Sequence, residues 1–102
     1  MILKNVKSLK CLGMNYAVEY TKDGPGVSGL DGKIETSWLT LQIRDSLPLE
    51  RKSHTLWHEI IHHISHYMRP LDNGKELTES EIDRLATALN DLEIITTGEP
   101  KC

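Results

Sequence analysis

The chain alternates early and turns helical late. Asn15-Tyr16-Ala17-Val18-Glu19-Tyr20 alternates in polarity and is rich in aromatic and β-branched residues, the pattern of a half-buried strand. Lys22-Asp23-Gly24-Pro25-Gly26 breaks it, and Gly29 to Gly32 makes a second turn. Ile34 to Ile43 follows, with Trp38-Leu39-Thr40-Leu41-Gln42-Ile43 as its best strand. Asp45-Ser46-Leu47-Pro48 leads out of it. From Glu50 to Met68 there is no Gly or Pro. Trp57, Ile60, Ile61, Ile64 and Met68 recur at helical spacing and predict an amphipathic helix that Pro70 and Asp72-Asn73-Gly74 terminate. A second helix is predicted over Thr78 to Ile95. Its apolar stripe is Ile82, Leu85, Leu89 and Leu92 with Ala86 beside them, Thr78 is its N-cap, and Gly98 and Pro100 lie beyond its end. Strands first and helices after predict an α+β fold: a small antiparallel sheet from the N-terminal half, packed on two helices.

One hundred and two residues make one domain with a small core, spanning 1–102. A net charge of -3 with no basic run argues against direct nucleic-acid binding. No apolar run is long enough to span a membrane, and Met1 to Lys7 lacks the apolar core of a secretory signal. Cys11 and Cys102 are far apart and outside any CxxC pair, so free thiols in a reducing, cytoplasmic setting are expected.

The first predicted helix carries the chemistry. Trp57-His58-Glu59-Ile60-Ile61-His62 contains HExxH. Residues four apart on a helix lie one above the other, so His58 and His62 can offer two imidazoles to one metal ion. Glu59, beside the first, can accept a proton from a metal-bound water, the arrangement of zinc-dependent peptide hydrolysis. With five histidines in the chain, three matching positions arise by chance in roughly one shuffled sequence in fifty, so the surrounding residues must carry the rest of the argument.

A catalytic zinc takes three protein ligands and keeps a position for water. His66 is one turn beyond His62, but His58, His62 and His66 would span roughly 12 Å along a straight helix and could not converge on one ion. His54 fails by the same geometry. His63 points about 100° away from His62 and is expected on the surface. All three extra histidines are expected on solvated faces. The second helix supplies acids instead. Thr78-Glu79-Ser80-Glu81 fits a capping box, which occupies Glu81 with the N-cap amide. Glu79 has no such task and shares one flank of the helix with Asp83, which lies one turn on. Asp83 is placed to accept a hydrogen bond from a ligand histidine and orient its ring.

HExxH on one helix followed by Glu-x-x-x-Asp on the next resembles the gluzincin zinc metallopeptidases. The match is closer to the ImmA/IrrE-type enzymes, often encoded by phages and mobile elements. It rests on Leu41-Gln42-Ile43 with a short linker, on Thr55 to His62, and on Glu79-Ser80-Glu81-Ile82-Asp83-Arg84-Leu85-Ala86, covering roughly Gly32 to Leu92. The resemblance implies a minimal zincin-like domain, Zn2+ as cofactor, His58, His62 and Glu79 as ligands, Glu59 as general base and Asp83 behind a ligand. It implies a metalloendopeptidase acting on a protein or peptide, with a helix-turn-helix repressor or another regulatory protein as substrate. The Ile34–Ile43 region would offer an edge strand to an extended peptide. Unlike fuller members, the chain shows no helix ahead of its first strand and no DNA-binding module. The competing expectation is a non-catalytic zinc-binding or interaction module that holds a regulatory protein without cutting it.

Overall fold

The computed structural model describes residues 1–22, 31–35, 39–68 and 74–95. They form an α+β domain with the order β1 (Ser8–Cys11), β2 (Met14–Thr21), β3 (Gly32–Glu35), β4 (Thr40–Arg44), α1 (Leu49–Met68) and α2 (Glu79–Asp91). No helix among the described residues is long and apolar enough to cross a membrane. Several expected features lie outside the described residues: most of the two glycine-rich turns, Trp38, Pro70 and Asp72-Asn73, Gly98, Pro100 and Cys102.

The sheet has the order β1-β2-β4-β3. It is mixed, not antiparallel throughout as expected. β1/β2 and β3/β4 are antiparallel, but β2 and β4 run parallel, with Ala17 opposite Thr40 and Thr21 opposite Arg44. Strand alternation marks a strand without naming its neighbour. Successive strands here reverse direction, so placing β4 between β2 and β3 forces β2 and β4 to point the same way. β1 was not foreseen. It is joined to β2 by a two-residue turn in which Leu12 (φ 51°) and Gly13 (φ 79°) are both left-handed, the geometry that suits the twist of a tight hairpin. The predicted strand from Trp38 starts later, at Thr40, because Leu39 also has a positive φ of 48°.

The alternation does put one face inside. Tyr16 and Val18 of β2 and Leu41 and Ile43 of β4 are buried, and Leu56 of α1 covers them. A second cluster, Ile61, Ile82 and Ala86, joins α1 to α2, with Trp57, Leu77 and Leu89 against it. α1 therefore has two packing faces, one for the sheet and one for α2. The single stripe expected from the sequence is the second of these, and its Ile64 and Met68 end up partly exposed, at about two-fifths of their surface, as do Leu85 and Leu92 of α2. The predicted length of α2 is also corrected. It ends at Asp91, with Leu92 extended, well short of Ile95. There the Met1 amino group donates to the carbonyls of Leu89, Asn90 and Leu92, placing a positive charge at the helix C-terminus.

Ser53 ties these parts together. Fully buried, its Oγ accepts from the Leu3 amide at 2.7 Å and donates to Asn90 Oδ1 at 2.6 Å. The N-terminal segment, α1 and α2 thus meet on one hydroxyl, which fixes the separation of the two helices that carry the candidate site.

Candidate metal centre

α1 starts directly after Pro48 and runs twenty residues without a breaker. α2 starts at its capping box: Thr78 Oγ1 accepts from the Glu81 amide at 3.2 Å, and the Thr78 amide donates to Glu81 Oε1 at 3.0 Å. These bonds to the Thr78 backbone and hydroxyl hold the Glu81 carboxyl below the usual range. Glu81 is therefore occupied as the sequence predicted, and the start of α2 is fixed so that Glu79 faces α1.

Three donors converge there. His58 Nε2 and His62 Nε2 lie 3.1 Å apart. The Glu79 carboxylate closes the triangle, with Oε1 at 2.8 Å from His62 Nε2 and Oε2 at 3.3 Å from His58 Nε2. The ligand atoms of the three residues all lie within 4.8 Å of one another, and the group can hold a metal ion. Two donors about 2.0–2.1 Å from one tetrahedral ion sit about 3.3 Å apart, so these spacings fit a shared ion with little adjustment. The donor set, two imidazoles and a carboxylate, suits a borderline divalent cation. Burial and the neighbouring His62 ring depress the His58 pKa, with Glu79 and Asp83 opposing. That keeps the ring in the neutral form that coordinates metals.

Beside this group, on the His58 side, is an open cleft of about 260 Å³, lined by Asp31, Gly32, Arg51, His54, Thr55, His58, Glu59 and Asp83. Glu59 thus shares a wall with His58, while Glu79 is 73% exposed at the side-chain level and lies on the solvent side. Asp31, Gly32, Thr55 and Arg51 were not anticipated as cleft residues. Arg51 is held by Asp31 through contacts of 2.7 and 3.1 Å. Gly32 had a readable signal, since a glycine at a strand start often marks a close approach. A Cβ there would come within 2.5 Å of Thr55 Cγ2, so only glycine lets β3 lie this near α1.

Asp83 lies on the Nδ1 side of His58, beyond the reach of the expected direct hydrogen bond, and it also faces His54. Its Oδ1 is 3.9 Å from His58 Nδ1 and 3.4 Å from His54 Nε2. The three histidines expected on solvated faces divide. His66 is half-exposed and pairs with Glu76 at 2.9 Å. His54 is mostly covered and contacts α2 through Asp83 and Thr87. His63 is buried, not superficial: it is 3% exposed, with Nδ1 3.2 Å from the Tyr16 hydroxyl. The angle from His62 was right, but it points His63 at the sheet-facing side of α1, beside the Leu56 row, and not at solvent.

Comparison of the chain with protein families, with curated proteins and with solved structures returned no match.

Proposed function

We propose that this domain is a zinc-dependent metalloendopeptidase of the ImmA/IrrE-like, gluzincin type, with His58, His62 and Glu79 as ligands and Glu59 as general base. The observation that carries the reading is the convergence of one carboxylate from α2 on the two HExxH imidazoles, with Glu59 on the wall of the adjoining cleft. Held by His58, His62 and Glu79, zinc would supply Lewis acidity toward a water and toward the scissile carbonyl. Glu59 takes the proton from the attacking water and passes it to the leaving amine. His54 and His66 have partners elsewhere in Asp83, Thr87 and Glu76, which supports three protein ligands and a position for water in place of a closed structural site. β3 lies at the end of the sheet and Gly32 lines the cleft, so an extended peptide is accommodated by adding to that edge. The substrate class, a helix-turn-helix repressor or other regulatory protein, follows from the resemblance of the sequence motifs.

Glu59→Gln separates this reading from a non-catalytic zinc-binding module. The variant should bind zinc as the wild type does, by elemental analysis, and lose cleavage of a peptide library. Unchanged cleavage in the variant removes Glu59 from its role; a wild type that holds zinc and cleaves nothing favours the binding module.

A further inference from the structure

We infer that His54 is a positioning residue for the metal centre: through Asp83 it fixes which nitrogen of His58 faces the metal. The inference rests on the metal-site reading above. The geometry is a line of four groups across the α1–α2 interface. His54 Nε2 lies 3.2 Å from Thr87 Oγ1 and 3.4 Å from Asp83 Oδ1. The same Asp83 oxygen lies 3.9 Å from His58 Nδ1, and His58 Nε2 faces His62 and Glu79.

The hydrogen-bonding capacities along this line leave little freedom. An ionised carboxylate only accepts. Its contact with His54 is favourable when Nε2 of His54 carries the proton. The Thr87 hydroxyl donates or accepts and so adjusts to either state. Asp83 is a short side chain, 60% exposed, and would otherwise turn its oxygens toward water. Beside His54, Oδ1 stays on the side of His58, and at 3.9 Å its charge, without a direct hydrogen bond, favours a proton on His58 Nδ1. That leaves Nε2 of His58 bare, which is the state a ligand needs. A histidine one turn before a metal motif cannot itself reach the ion, but it reaches the carboxylate that orients the ligand.

The test uses the full 102-residue chain, freed of metal by chelation, with Zn2+ alone as the probe in a competitive titration. Co2+ absorption serves as a signature of ligand geometry. Outer partners of metal ligands are worth about 10–100-fold in affinity, so His54→Ala, acting one step further out, should weaken zinc binding about tenfold and alter the Co2+ spectrum. His54→Gln, which keeps a donor near Nε2, should recover most of the affinity and keeps the test valid if the alanine variant folds poorly. In an Asp83→Asn background, His54→Ala should cause no further loss, because both act through one carboxylate. Thr87→Ala, which removes the hydroxyl that also holds His54, should weaken zinc binding less than His54→Ala does; a loss that matches it and persists in the Asp83→Asn background would mark a general packing effect and overturn the inference. Wild-type zinc binding that His54→Ala leaves intact, or losses in the two variants that multiply, would overturn the role of His54 and leave the metal site standing. A wild type that takes up no zinc removes the site and the inference together.

Discussion

Replacing Glu79 by Gln tests the choice between two acids only two residues apart. The change keeps side-chain length, leaves the capping box intact and removes the one anionic donor from a triangle whose edges are 3.1, 2.8 and 3.3 Å. A ligand that binds only the folded chain stabilises it by RT ln(1 + [L]/Kd), about 2.7 kcal/mol when zinc is at a hundred times its dissociation constant. One kcal/mol moves the midpoint of a domain of this size by about 4–8 °C, so wild-type Tm should rise about 10–20 °C over the chelated protein. Loss of an outer partner costs up to about 100-fold in affinity, and loss of a ligand should cost at least that. At the same zinc concentration the Glu79→Gln protein is then at or below half-saturation. Its stabilisation falls to about 0.4 kcal/mol or less, a shift of no more than about 3 °C. Glu81→Gln is the control, since Gln also serves at this position of a capping box. Its zinc shift should match wild type. The assay is thermal unfolding of chelated protein with and without zinc, supported by a competitive titration. A full zinc shift in Glu79→Gln with a lost shift in Glu81→Gln would refute the assignment of the third ligand and the capping argument behind it.

Other expectations concern the frame that holds the site. Ser53→Ala strips the partner from the Leu3 amide and from Asn90 Oδ1, and should cost about 1–3 kcal/mol, read as a fall in denaturation midpoint; a loss below about 0.5 kcal/mol would mean that water replaces the hydroxyl. Gly32→Ala drives a Cβ against Thr55 Cγ2 and should cost about 1–3 kcal/mol. Thr55→Ser removes that methyl, keeps the hydroxyl bonded to the Arg51 carbonyl at 2.8 Å, and should restore much of the loss; no rescue would place the strain elsewhere. Burial holds the His63 pKa below its ordinary 6.5, with the Cys11 backbone opposing. The unfolded chain therefore binds more protons below about pH 6.5, and stability present above that pH is lost as pH falls toward the folded-state pKa, at most about 1.4 kcal/mol per pH unit for one group. In metal-free protein scanned between pH 7 and 5, His63→Asn should lose stability less steeply than wild type. The slope is reduced and not abolished, because His58 is depressed with the same sign; an unchanged slope would show that His63 does not titrate on unfolding.

The candidate site was more legible than the fold around it. The i, i+4 spacing of His58 and His62 sets their relation through helix geometry alone, and the Thr78–Glu81 box is a local contact, so Glu79 could be separated from Glu81 without any tertiary information. His66 could be set aside because a straight helix cannot bring its ring to the same ion, and it pairs with Glu76. The same local logic misread His63 and His54. A helical wheel gives the angle of a residue but not what lies in that direction, and α1 is covered on two sides, by the sheet beneath Leu56 and His63 and by α2 beside Ile61 and His54.

The sequence by itself determined most of the elements and the placing of the candidate donors along them. Period-two and helical patterns mark strands and helices, and the donors of the metal group sit at spacings their own helices impose. Only the tertiary structure decided the strand order, the parallel β2–β4 pair, the nearness of Gly32 to Thr55 and the gap between α1 and α2 that brings Glu79 to 2.8 Å from His62. The reason is one of range. Backbone periodicity acts over a turn or a strand, whereas these features come from burying two faces of one helix at once, and no single window of sequence contains both partners of that packing.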